Sequence, residues 1–235
     1  MYMQIRQKVY GIQHDGVQSN WRGFSSNISA ANMHCLGIDQ FVQFVTHPQR
    51  EMSVIDGGSG SGIVSLMLAV VMVSEGVPGQ VRGIEYKRDL VDSAVKTLSS
   101  SLALGDILRG DSITIAHTGK SFRLKKKNVT VTLEFTSHSN VTEWCPTGSK
   151  ADFIHLGFEV DDTAWNTLKT HLRPGGWLVG PHICGCPLTA HEKCAGSGGT
   201  WWCVHKNHNP SEADLCNPPV RYQPDLGSGG PKIWR

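Results

Sequence analysis

Gly58, Gly60 and Gly62 stand at alternate positions between two apolar runs, Val54-Ile55 ending on Asp56 and Ile63 to Val73. A short apolar run, a glycine cluster and a long apolar run, in that order, read as strand, turn and helix. Glycines spaced G-x-G-x-G let the backbone turn tightly and approach a ligand, because no Cβ intervenes. The helix start adds N–H groups with no helical acceptor. Twenty-three residues past Gly62, Val81-Arg82-Gly83-Ile84-Glu85 reads as a second strand ending in a carboxylate. In nucleotide-binding α/β folds an acidic side chain at that place accepts the ribose hydroxyls. The expected fold class is therefore α/β, a doubly wound and mostly parallel sheet, with its ligand at the carboxyl ends of the first strands.

The spacing differs from the dinucleotide fingerprint G-x-G-x-x-G. The pattern D-x-G-x-G-x-G from Asp56 to Gly62, with Glu85 ending the next strand, resembles the first two motifs of Rossmann-like S-adenosylmethionine (SAM) methyltransferases. SAM carries no phosphate, so it asks for room and a ribose carboxylate rather than a cradle of N–H donors.

Composition agrees with one soluble-type globular domain: 235 residues, 39% hydrophobic and 18% charged, with a net charge of +2 that argues neither for nor against nucleic acid. Ile63–Val73 is too short to span a bilayer and reads as a buried helix. The first 24 residues lack an apolar signal core, so a cytoplasmic chain is expected, with a mitochondrial one as the alternative. Seven cysteines is an odd number, which favours free thiols or metal ligation over a disulfide framework.

A second run narrows the family. Gly23-Phe24, Ile28-Ser29 and Met33-His34 precede a helix and then the glycine turn. Asp152-Phe153-Ile154-His155-Leu156-Gly157 and Leu172-Arg173-Pro174-Gly175-Gly176-Trp177-Leu178 follow later, and Tyr222-Gln223-Pro224 near the end. Together these resemble the protein-L-isoaspartate (D-aspartate) O-methyltransferases, from Gly23 to about Gly180. The resemblance implies methyl transfer from SAM to the free carboxylate of isoaspartyl residues in damaged proteins. It implies Ser29 as the active-site residue holding the acceptor, and Ser26, Asn27 and Ile28 lining the SAM pocket with His34 nearby. Asp56, Gly58, Ser59 and Gly60 would face the methionine part, Gly62 would complete the cofactor turn, and Glu85 would take the ribose.

The departures cluster on the acceptor side. The family threonine before Ile-Ser is Asn27, its proline is Ala31, and Asn32 replaces a usual histidine. The aspartate that meets the adenine amino group falls on Ser137, a hydroxyl without charge assistance. A run of small residues after the fourth family strand is here Phe158-Glu159, bulk and negative charge where the pocket is otherwise open. The stretch before Gly23 is also shorter than the family's peptide-side helices.

The chain divides into an N-terminal extension, 1–22, and a methyltransferase-like domain, 23–235, with insertions at 104–128 and 182–216. The first carries Lys120, Arg123 and Lys125–Lys127, read as a solvated hairpin or as a contact for RNA or an acidic partner. The second carries Cys184, Cys186, Cys194, Cys203 and Trp201-Trp202. Its spacing is not a paired C-x-x-C set, so no metal is expected; those four cysteines are the ligands if zinc binds. The tryptophan pair would meet a partner in an assembly or cover the sheet edge. Three readings follow: an active isoaspartyl methyltransferase, a homologue kept as a structural subunit, and a SAM enzyme with another acceptor such as RNA.

Overall fold

The computed structural model describes residues 31–45, 50–100, 113–145, 148–182 and 200–205, with backbone only for 31–36, 100, 182 and 200–205. In chain order these form α1 (Ala31–Val45), β1 (Met52–Gly57), α2 (Ile63–Ser74), β2 (Gly79–Glu85), α3 (Arg88–Ser100), β3 (Thr114–Thr118), β4 (Ser121–Lys126) and β5 (Val129–Ser137). A 3-10 turn (Val141–Glu143), β6 (Ala151–Leu156), α4 (Asp162–Thr170), β7 (Leu172–His182) and β8 (Thr200–His205) follow. The strands make one sheet in the order β3-β4-β5-β2-β1-β6-β7-β8. The central five, β5, β2, β1, β6 and β7, are parallel. Antiparallel strands flank them on both sides. This is the doubly wound α/β sheet that the glycine turn implies.

Central parallel strands are covered on both faces, so they read as near-continuous apolar runs. Every residue of β1 and β6 is buried. One face packs under α1, α2 and α3 through Phe41, Leu68, Phe135 and Phe153. The other packs under the 3-10 turn and α4 through Trp144, Ile154, Trp165 and Leu168. A helix apolar all round must be buried all round. α2 obeys this: Val64 to Val73 is buried throughout, wedged between the sheet and α1. Among the described residues, no helix is long and apolar enough to cross a membrane.

At the amino end of the sheet, Asp152 ties three segments together. Its carboxylate accepts from Arg50 at 2.6 Å and from the Ser53 N–H at 2.7 Å, with Arg173 at 3.6 Å. Asp161 caps α4 by accepting from Ala164 N–H at 2.8 Å.

Three differences from the sequence reading have physical causes. The basic stretch is not a free hairpin: β3 and β4 extend the main sheet beside β5. Phe122 and Leu124 alternate with Arg123 and Lys125, so one face is buried and the basic face is exposed. The Arg173-Pro174-Gly175-Gly176 run does not precede the strand but interrupts β7 as an irregularity. Ala151 pairs with Leu172 while Phe153 already pairs with Trp177, and Gly175 takes φ 79°. Finally, Thr200–His205 inside the Cys-rich stretch is a strand, β8, whose Trp201 and Trp202 stand opposite Pro181 and Gly180 of β7. The expected strand at Val220–Gln223 lies outside the described residues.

Candidate active site

The three turn glycines all hold left-handed φ: 73° at Gly58, 48° at Gly60 and 77° at Gly62. Side chains other than glycine adopt that region at a cost, which is why glycine recurs at every second position. Four N–H groups of the turn are already bonded within the protein. Gly58 and Ser59 donate to the Ile84 carbonyl at 2.8 and 3.1 Å, and Gly62 donates to the Ser59 carbonyl at 2.7 Å. Gly60 donates to Glu85 Oε2 at 3.0 Å. A turn whose donors are used internally is no cradle for a pyrophosphate.

Glu85 is only 7% exposed and ends β2 directly against this turn. Its Oε1 accepts from the N–H groups of Tyr86 and Lys87, at 2.9 and 3.2 Å. A carboxylate offers about four acceptor sites, so three donors leave one for a ligand hydroxyl. A Cβ on Gly60 would meet nothing nearer than the Gly58 carbonyl at 3.8 Å, so the backbone there borders open space. Ser59 Oγ is buried and has no hydrogen-bond partner among the described residues, a polar atom whose desolvation a bound ligand would offset. Ser137 pairs in register with Glu85, at the same carboxyl edge. Tyr86, 55% exposed, follows Glu85 at this edge.

Asp56 behaves differently from the expectation that it faces a ligand. It is 1% exposed, and both oxygens are engaged by the protein. Ser65 Oγ, in the first turn of α2, donates to Oδ2 at 2.5 Å. His155 Nδ1 lies 2.8 Å from Oδ1, and since a carboxylate only accepts, the ring donates. Asp56 and His155 are lateral partners of β1 and β6. The carboxylate is thus a strut that joins β1, β6 and α2 under the glycine turn. Gly37 of α1 closes it: a Cβ there would lie 2.5 Å from His155 Cδ2. Ser65 and His155 are site-supporting residues that the sequence reading did not assign. The available signals were the one polar residue inside the Ile63–Val73 run and a histidine in a buried strand.

On the β6 side the turn is covered. Gly157 N–H donates to the Gly57 carbonyl at 2.8 Å, pinning the two strand ends together. Phe158 then lies on Gly58: a Cβ on Gly58 would be 2.5 Å from Phe158 Cδ1. Trp144 backs this ring edge-on, with centroids 5.9 Å apart, and its own ring fills the space beside Gly57. Next in sequence, Glu159 is held above the usual carboxylate range by burial. Bulk and a carboxylate do stand at the carboxyl end of β6, as the Phe158-Glu159 replacement suggested.

Ser26, Asn27, Ile28 and Ser29 lie outside the described residues, as do Cys184, Cys186 and Cys194. His34 sits on the first turns of α1, one turn before Gly37, and Cys203 lies on β8; for both, the backbone alone is described. No group of three or more His, Cys, Asp or Glu residues among the described ones could hold a metal ion. Asp56, Gly58, Ser59, Gly60, Gly62, Glu85 and Ser137 are therefore the proposed site residues that the fold brings to one edge.

Comparison with known proteins meets this geometry. Residues 4–120 match the profile of the protein-L-isoaspartate (D-aspartate) O-methyltransferase family. Protein-L-isoaspartate O-methyltransferase 1 of Arabidopsis thaliana is 28% identical over 159 residues, 68% of this chain and 56% of that protein. Protein-L-isoaspartate O-methyltransferase 2 of the same organism is 26% identical over 160 residues, 68% of this chain and 42% of that one. The chain thus spans about half the length of these relatives. A Plasmodium falciparum protein-L-isoaspartate O-methyltransferase, solved with S-adenosyl-L-homocysteine, superposes with a TM-score of 0.50 at 18% identity, covering 79% of this chain and 70% of that one. That likeness shows the fold. The glycine turn, the carboxylate ending β2 and the profile match over residues 4–120 agree in making the chain similar to the protein-L-isoaspartate (D-aspartate) O-methyltransferase family, as a divergent relative.

Proposed function

We propose that this chain binds S-adenosylmethionine at the glycine turn and methylates the free carboxylate of isoaspartyl residues in proteins. The observation that carries the reading is Glu85. A buried carboxylate ends β2 on the turn with an acceptor site to spare, beside a Ser59 hydroxyl that no described residue pairs and a Gly60 that no described residue crowds. These residues fit a nucleoside thioether or sulfonium and do not fit a dinucleotide, whose pyrophosphate would need the N–H groups already used. Bound here, SAM would supply an electrophilic methyl group on sulfur.

The chain's own work is then positional. Glu85 orients the ribose, Ser59 offers a hydroxyl, and the Asp56–Ser65–His155 strut holds the turn in place. Ser29 is the residue proposed to hold the acceptor carboxylate. That carboxylate is ionised near neutral pH and needs no general base. Catalysis therefore rests on orientation and electrostatic fit. Titration calorimetry with SAM on the full chain, with and without Glu85→Ala, tests the cofactor half. Micromolar binding that weakens about tenfold or more in the variant is expected, a loss of about 1.4 kcal/mol. Methyl ester formation on an isoaspartyl peptide, abolished by Ser29→Ala, tests the acceptor half. A folded chain that binds SAM but never esterifies the peptide would overturn the isoaspartyl assignment.

A further inference from the structure

In a doubly wound sheet the ligand lies in the crevice where strand order reverses, at the carboxyl ends of the strands. Here that crevice lies between β1 and β6, because the chain winds outward from β1 to β2 and returns to β1's other side at β6. With its ribose on Glu85, a ligand must extend from β2 across the turn toward that crevice. The near part of the path, at Gly60, is open. The far part, over Gly58, is filled by the Phe158 ring. This wall is built rather than loose: the Gly57–Gly157 hydrogen bond ties the strand ends, and fully buried Trp144 supports the ring.

We propose that Phe158 divides the ligand site, so that a SAM-type ligand draws its affinity from the nucleoside end while its amino-acid limb must displace the ring to enter. The inference rests on the proposed SAM site and names the residue that sets its specificity. In this arrangement the limb contributes little affinity, because its favourable contacts are offset by moving an aromatic ring out of an apolar wall.

The test is titration calorimetry on the full chain with two probes, S-adenosylhomocysteine, which has the limb, and 5′-methylthioadenosine, which lacks it. In the native protein the two dissociation constants should agree within about threefold. Phe158→Ala should tighten S-adenosylhomocysteine by about tenfold or more and leave methylthioadenosine unchanged. Phe158→Leu keeps an apolar body against Trp144 and should show the same selectivity at smaller size, which preserves the test if the alanine variant does not fold. Native protein that already prefers S-adenosylhomocysteine tenfold overturns the inference while leaving the SAM site standing. So does a variant that gains equally for both probes. Failure of both probes to bind any of the folded proteins overturns the SAM site and the inference together.

Discussion

Asp56→Ala separates two roles for the same carboxylate. A residue facing the ligand would lose binding and little stability when truncated. A strut would lose stability. The structure places two donors on Asp56, Ser65 Oγ at 2.5 Å and His155 Nδ1 at 2.8 Å, with Asp56 and His155 each 1% exposed. Alanine would strip both buried donors of their acceptor, and no solvent can replace it. Removing one partner of such a buried arrangement costs about 3–5 kcal/mol. For a chain of this size each kcal/mol moves the melting temperature by about 2–4 °C, so a fall of about 6–20 °C is expected. Asp56→Asn keeps the shape and one acceptor, and the Ser65 hydroxyl can rotate to accept from the amide. That variant should lose only about 1–2 kcal/mol. The assay is urea unfolding followed by tryptophan fluorescence, with the midpoint compared at equal slope. An Asp56→Ala midpoint equal to the native one, with ligand binding gone, would refute the strut.

Two further outcomes follow from neighbouring geometry. Gly37→Ala gains about 1 kcal/mol of helix propensity but forces a Cβ to 2.5 Å from a histidine ring that Asp56 holds in place; overpacking of about 1–3 kcal/mol wins, so thermal melting should fall by a few degrees, and an unchanged or higher melting temperature would contradict the packing. Burial raises the Glu159 carboxyl above its unfolded value, so the protein is favoured while that group is protonated and loses this advantage as pH rises through the raised value; Glu159→Gln should therefore melt higher than native protein near neutral pH and equally in acid, a difference read by melts across pH.

The legible parts of the fold were those with local causes. Glycine at every second position, an apolar run on each side and Glu85 one strand later made β1, α2 and β2 readable, because each feature depends on residues close in sequence. β6 was readable from the Asp152-to-Gly157 run, which resembles the family's strand. The strut was not, because it needs His155, 99 residues from Asp56, and nothing in the chain announces which distant strand lies beside β1. β4 was half visible: counting basic residues hid the two-residue alternation that Phe122 and Leu124 make with Arg123 and Lys125. β8 was obscured by its cysteines and glycine-rich surroundings, although Trp201-Trp202-Cys203-Val204 is a run of strand-forming residues. At the site, the position of Glu85 at the end of β2 was legible because it depends on local sequence alone. The internal use of both Asp56 oxygens was not, because position along a strand does not say which groups a carboxylate meets.

The separation between Asp56 and His155 also bears on how the chain folds. The segment that matches the family profile, 4–120, contains the whole glycine turn. Among the described residues, the lateral ties that hold β1 on its second side come from Ala151 to Gly157, synthesised later. Such pairings must close a long loop before they return any free energy, which slows their formation. A ribosome that has released residue 120 has exposed the recognisable half of the protein but not its lock. The Asp56–His155 tie forms only when β6 pairs beside β1, so the part of the chain easiest to recognise does not carry all of its own supports.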